Sequence, residues 1–373
     1  DFAYLSLVNF NPKYALGSSG LDAGEGNIVP AAALGDFPIV DMSWETSTNL
    51  NFGFDAILFN NKMTFTSDYY HRTTDGILQT IDIPWVIGAL TNPVVNLASV
   101  VNSGFEFQVG YSDKIGELGY NITANLTTVK NKVEKLYRKR PSENNNLRIE
   151  EGYSMNYIFG YKTDGIFQTA QEVSDWLSKN NDPGYTSQKA PGDVRYVDLN
   201  SAPTAADGTD AYVHYAPDGK IDSYDRTYLG KTIPGYFYGF NVELTYKNWD
   251  ASLNFRGVGD VQRIRTDGKL SIGAGGANFL EVYNKRWTST NPSTTIPRAI
   301  EGDPSGNNRI SDRMVEDAGF LRFQNFQIGY NFKGGVLNKM GASNMRCYVS
   351  GSNLFVMTPY TGLDPENDTT PTT

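Results

Sequence analysis

The groups that could carry chemistry are few. The chain holds two histidines, His71 and His214, and one cysteine, Cys347. No Ser/His/Asp set, Cys-x-x-Cys pair or histidine metal spacing can be assembled from them, so the chain reads as not an enzyme, with no cofactor required. His71 falls at a strand end beside Arg72 and reads as a rim residue. A lone thiol in a strand pattern, as at Cys347, reads as packing. One constellation has ligand character. "VDLN" (197–200) followed by "PDGKIDSYD" (217–225) resembles a split calcium loop. Asp198 and Asn200 would supply the first oxygens. Asp218, the Lys220 carbonyl, Asp222 and Asp225 would supply the rest, with Gly219 at the sharp turn, because Ca²⁺ needs several oxygens at close range. The stretch 201–217 interrupts the loop and its bidentate Glu is missing, so a solvated, turn-forming acidic loop is the competing reading. Recognition is the other chemistry available. Trp85, Tyr153, Tyr157, Trp176, Tyr185 and Trp287 lie in predicted loops and are candidates for stacking on sugar faces. Each can equally be the hydrophobic anchor that orders its own loop.

The elements that would position these residues are strands. The 373 residues include 23 Tyr, 20 Phe and 37 Gly, with few helical patterns, which favours mostly β structure. A net charge of −9 gives nucleic-acid binding no electrostatic support. No apolar run is long enough for a transmembrane helix, but transmembrane strands carry a much weaker signal of about ten alternating residues each. That alternation is present. In 238–246, Tyr238, Phe240, Val242, Leu244 and Tyr246 alternate with Gly239, Asn241, Glu243 and Thr245. After Lys247 and Asn248, Trp249, Ala251, Leu253 and Phe255 alternate with Asp250, Ser252, Asn254 and Arg256. Roughly nine strands follow from such patterns, near 2–16, 44–58, 63–72, 103–112, 119–137, 236–246, 249–257, 320–332 and 345–356. "FNNK" (59–62) reads as a tight turn, and the three Thr-Asp-Gly triplets at 74–76, 163–165 and 266–268 read as turns too.

The connections alternate between short and very long. Loops of about thirty (73–101), about a hundred (138–235) and about sixty residues fall on one side of the pattern. This is the layout of an outer-membrane barrel, with short periplasmic turns and long external loops. Tyr238, Phe240, Val242 and Leu244 would then face acyl chains, and Asn241, Glu243 and Arg256 a watery lumen. Tyr246 and Trp249 would sit in an interfacial aromatic girdle. A soluble sandwich or propeller also alternates, with its apolar side inward, but rarely tolerates such loops. An odd antiparallel set cannot close on itself, so further strands are expected before Asp1 and at least one after Thr373. The absence of an initiator Met and signal peptide fits the same expectation.

Several blocks resemble one family. "PGDVRYVDLN" (191–200), the stretch 218–260, "GFLRFQNFQIGYNF" (319–332) and "SGSNLFVMTPYTGLDPE" (350–366) are similar to the C-terminal barrel of SusC-like (SusC/RagA) TonB-dependent outer-membrane transporters. The stretch 42–78 looks like an earlier hairpin of that barrel. The resemblance covers nearly the whole chain, in order. It implies an all-β, antiparallel transmembrane barrel segment of about nine strands from a barrel of about twenty-two. It also implies a multi-pass place in the outer membrane of a Gram-negative bacterium, in contact with its lipid, and active import of oligosaccharides or oligopeptides. The partners implied are a SusD-like surface lipoprotein and, through an N-terminal part, TonB-ExbB-ExbD. No plug domain, TonB-contacting segment or final strand is recognised within 1–373. A non-transporting adhesive barrel and a soluble carbohydrate-binding β-protein are the alternatives.

Overall fold

The computed structural model describes residues 43–80, 94–136, 142–144, 146–201, 216–265, 281–333, 335, 341 and 344–366, with the backbone of 7–9, 13–15, 28–30 and 33–36. One large antiparallel sheet dominates. Its long strands are β1 (Thr46–Leu58), β2 (Met63–Thr80), β3 (Val94–Ile115), β4 (Leu118–Thr128), β5 (Tyr236–Tyr246), β6 (Trp249–Gly259), β7 (Phe320–Lys333) and β8 (Asn344–Met357). They pair in chain order, β1 to β8, and Lys130–Lys135 extends β4 to pair again with β3. Short turns lie on one rim, with two residues between β3 and β4 and between β5 and β6, and four between β1 and β2. Phe59, Asn60, Asn61 and Lys247 adopt left-handed backbone there, as tight reversals between twisted strands demand.

The register puts the apolar residues on one face. Phe240 lies between Ala124 of β4 and Phe255 of β6, and Val242 between Ile122 and Leu253. Phe240, Phe255 and Phe323 stack in succession, with ring centroids 4.4 Å apart at each step. Phe323 and Phe326 break strict alternation, yet both face the same way. A bulge at Gln324 gives β7 one extra residue there and resets the register. Phe240, Val242, Leu253 and Phe255 are half-exposed, and none is buried. Trp249 and Tyr246 stand exposed beside their turn, with Tyr330 4.8 Å from Trp249. Cys347 is exposed rather than packed; its register partner is Tyr330, which puts it on this same face.

Three expectations need correction. The strand expected near 2–16 does not join the wall: Leu7–Asn9 pairs with Ala33–Asp36, and Lys13–Ala15 with Ile28–Pro30. Among the described residues the wall therefore has eight long strands, and the odd-count argument for further strands loses its premise. Among the described residues β1 and β8 do not pair with each other. The loop expected at 73–101 is largely strand, because β2 runs on to Thr80 and β3 begins at Val94. Packing explains the extension: Ala98 and Val100 bury against Val133 and Leu136, with Ile77, Ile149 and Met155 around them. The described Thr-Asp-Gly triplets are not reversals. Gly76 and Gly165 do take positive φ, but at irregularities within paired strands; 266–268 lies outside the described residues.

Candidate functional site

The long connections fold into a body of their own on the rim opposite the tight turns. A four-stranded sheet joins Ser142–Asn144, Leu147–Ile149, Tyr157–Tyr161 and Arg226–Gly230. Thr163–Ile166 pairs with Val194–Tyr196, and Gln262–Ile264 with Val315–Asp317. A short helix, α1 (Ala170–Leu177), starts where the Thr169 hydroxyl accepts from the Glu172 amide. Ile158, Ile264, Ile310 and Met314 form one core, drawn from two connections far apart in sequence.

Charge locks these connections together. Asp182, fully buried, accepts from Lys189 Nζ at 2.9 Å and from both ends of the Arg309 guanidinium at 3.0 and 2.6 Å. Asp193, also fully buried, accepts from Arg298 at 2.6 and 2.7 Å and from Asn307 Nδ2 at 2.9 Å. Such forked contacts fix geometry as well as charge. Burial holds the Lys189 ammonium below the ordinary lysine range, with Asp182 pulling the other way. The Arg309 guanidinium lies 3.9 Å from the Tyr196 ring and 4.9 Å from those of Tyr161 and Tyr185. Burial drives the Tyr196 phenol well above its usual range, and its hydroxyl donates to the Gly306 carbonyl at 2.8 Å.

This arrangement sorts the candidate aromatics. Tyr185 stacks on Arg309. Trp176 packs edge-on to Phe167 at 5.6 Å and against the Val194–Tyr196–Ile221 core. Trp287 donates from Nε1 to Gln168 Oε1 at 3.1 Å, and Gly192 leaves the room its ring needs, since a Cβ there would come within 2.4 Å of it. These three anchor loops. Trp85 lies outside the described residues. Tyr153 and Tyr157 alone come together, in a cleft of about 140 Å³.

The cleft has an aromatic wall and a charged wall. The Tyr153, Tyr157 and Tyr228 rings lie 4.9, 5.7 and 5.2 Å apart pairwise. Tyr157 is buried and donates to Glu150 Oε2 at 2.5 Å, while Tyr153, Tyr224 and Tyr228 are exposed. Opposite, Arg148 and Arg226 sit 4.2 and 4.8 Å from the Phe159 ring. Glu143 joins the two arginines, at 3.4 and 2.9 Å. Exposed phenol faces beside fixed carboxylates and guanidinia suit recognition of a polar oligomer. Sequence reasoning missed Tyr224, Tyr228, Arg148 and Arg226. For Arg226 and Tyr228 the signal was their placement two residues apart on one strand.

The acidic loop does assemble across its interruption. Asp198 accepts from the amides of Asp218 (3.3 Å) and Gly219 (2.6 Å). Asp225, buried, accepts from the amides of Leu199 and Asn200 at 2.7 and 3.0 Å, and from that of Asp222 at 2.7 Å. Asp222 accepts from the Tyr224 amide, and Asp218 from the Lys220 amide. The carboxylates thus staple backbone to backbone. Among the described residues, no three acidic, histidine or cysteine groups are placed to hold a metal ion. Burial raises the Asp225 carboxyl above its ordinary range, against the amides that favour its charge.

No family model matches the chain. Individual proteins do. TonB-dependent receptor P3 of Formosa agariphila is 30% identical across 97% of the chain and 34% of its own length. TonB-dependent receptor SusC of Bacteroides thetaiotaomicron is 26% identical across 98% of the chain and 33% of its own length. Among solved structures, the RagAB peptide importer in its open-open state superposes with a TM-score of 0.70 at 20% identity, over 98% of this chain and 35% of that one. Its closed-closed state gives the same TM-score and identity. The chain thus spans about a third of the length of these relatives. Over nearly its whole length the chain is thus homologous to a part of the SusC-like TonB-dependent outer-membrane receptors, and its wall, with one apolar face left unburied across eight strands, has the fold of a segment of a transmembrane β-barrel.

Proposed function

We propose that this chain supplies wall, lumen face and external loop body to a TonB-dependent importer of oligosaccharides or oligopeptides, working with a SusD-like surface lipoprotein. The reading rests foremost on one observation: an eight-stranded wall, apolar on one face and polar on the other, carries its β4–β5 and β6–β7 connections on one rim, where their described residues share a core. The apolar face meets lipid, the polar face lines an aqueous bore, and the loop body stands over the mouth. The transport step is not covalent chemistry. The Tyr153–Tyr228 cleft holds substrate loosely by stacking and hydrogen bonds, which a driven conformational change can break. TonB and its ExbB–ExbD motor supply the drive. The test is a strain deleted for the full-length receptor, assayed for growth and labelled uptake on a panel of oligosaccharides and oligopeptides. Loss of uptake of one class, restored by the wild-type gene, is the expected result. Unchanged uptake with lost surface adhesion would replace the importer by an adhesive barrel.

A further inference from the structure

Arg256 of β6 and Arg322 of β7 are register partners on the polar face, near the long-loop rim. Like charges set directly opposite repel, and a merely wet wall does not require them. Their counter-charges come from the segment that follows β8. Glu366 reaches both arginines, with Oε1 2.8 Å from Arg256 Nη2 and Oε2 2.7 Å from Arg322 Nε. Both Asp364 oxygens accept from Arg322 Nη2, at 2.9 and 3.1 Å. Gln324, set on this face by the β7 bulge, accepts from Arg256 Nε at 2.7 Å.

The segment 358–366 has two unlike halves. Its base is fixed. Thr358 Oγ1 donates to the Gly319 carbonyl at 2.8 Å, Tyr360 is buried against Val261 and Ala318, and the Thr361 amide donates to Glu316 Oε2 at 2.8 Å. Its tip is wetter. Pro365 is buried, but Leu363 is 100% exposed. The ion pairs that hold the tip are open to solvent on one side: the Arg256 side chain is 51% and that of Asp364 44% exposed, against 28% for Glu366 and 11% for Arg322. The wet side of such pairs exchanges readily with carboxylates in solution.

We propose that Arg256 and Arg322 form a binding site for carboxylate-bearing oligomers at the lumen mouth, and that Asp364 and Glu366 occupy it until such a ligand displaces them. The chain's own carboxylates stand in for those of the ligand and show that the paired guanidinia can hold two at once. The site rests on the reading of the polar face as the lumen of an importer.

The test titrates the full-length receptor in detergent with trigalacturonate, triglutamate and, as the neutral control, maltotriose, by calorimetry. At least one acidic trimer binds more tightly than maltotriose, and the better of the two says whether the ligand is a uronate glycan or an acidic peptide. Asp364→Asn/Glu366→Gln tightens that binding by about fivefold by removing the competitor, and Arg256→Gln abolishes it. A spin label at Leu363→Cys, in a Cys347→Ala background, gains mobility when the acid binds. Acids that bind no better than maltotriose in both forms, a tip variant with unchanged affinity, or a label that stays immobile overturns the proposal. Uptake that survives loss of acid binding leaves the importer standing without this site. Acid binding in a receptor that imports nothing removes the importer and keeps the site.

Discussion

The wall and the loop body distribute polarity in opposite ways. On the wall, Phe52, Phe54, Phe105, Ile328 and Phe355 stay exposed, and each hydrophobic cluster of buried side chains belongs to the loop body or to the rim beneath it. In the loop body the fully buried groups include Asp182, Asp193 and Asp225, each held by several donors. The difference is one of solvent. A strand in hydrocarbon must satisfy its backbone within the sheet and can leave apolar side chains outward at no cost. A body in water must hide apolar groups, and a buried charge persists there only when paired and hydrogen-bonded. The wall is therefore specified by periodicity, and the loop body by a small number of charge contacts.

The comparison can be broken most forcefully at Asp182. Asp182→Ala leaves Lys189 and Arg309 buried without their counter-ion, at a cost of about 3–5 kcal/mol. Protease should then cut within 179–221, while the barrel keeps its heat-modifiable mobility on gels. Simultaneous loss of both would mean that the two regions fold as one unit. On the wall, Phe255→Arg should cost about 2–4 kcal/mol of membrane folding, whereas Asn254→Arg, one residue away on the other face, should stay within about 0.5 kcal/mol. Denaturant titration of folding into lipid vesicles compares them directly; equal costs would refute the assignment of faces.

The loop body also carries a pH signature. Burial depresses the Lys189 pKa, so just below the ordinary lysine value of 10.5 the unfolded chain binds more protons than the folded one. Stability of the loop body should rise with pH through that window on account of Lys189, and Lys189→Met should flatten the rise. Hydrogen exchange of the 182–193 amides, corrected for intrinsic rates, measures it. The smallest effect belongs to the turn rim, where Lys247 and Glu117 pair at 3.1 Å with both side chains more than half exposed. Glu117→Gln should change stability by less than about 0.3 kcal/mol, seen as an unmoved unfolding midpoint.

Much of the wall was legible in the residues. The β5–β6 hairpin needed only its alternation and the Lys247–Asn248 turn, because side-chain direction in a strand is fixed every second residue. The run from Thr73 to Thr80 was harder, since it strays from alternation and is held as strand by its pairing with β3. Of the candidate site, Tyr153 and Tyr157 were found by residue type, yet Trp176, Tyr185 and Trp287 share that type and serve only to anchor. Nothing local separates a stacking platform from a loop anchor; the neighbours across the fold do.

The sequence by itself determined which face of the β5–β6 ribbon is greasy and where its tight turn falls, because both depend on residues within a few positions of one another. The tertiary structure alone decided that Asp182 meets Arg309 across 127 residues and that Glu366 meets Arg256 across 110. Those contacts are electrostatic and can be satisfied by many partners in an unfolded chain. Only the closed fold chooses one, by bringing the segments together and removing the water that would otherwise take the partner's place.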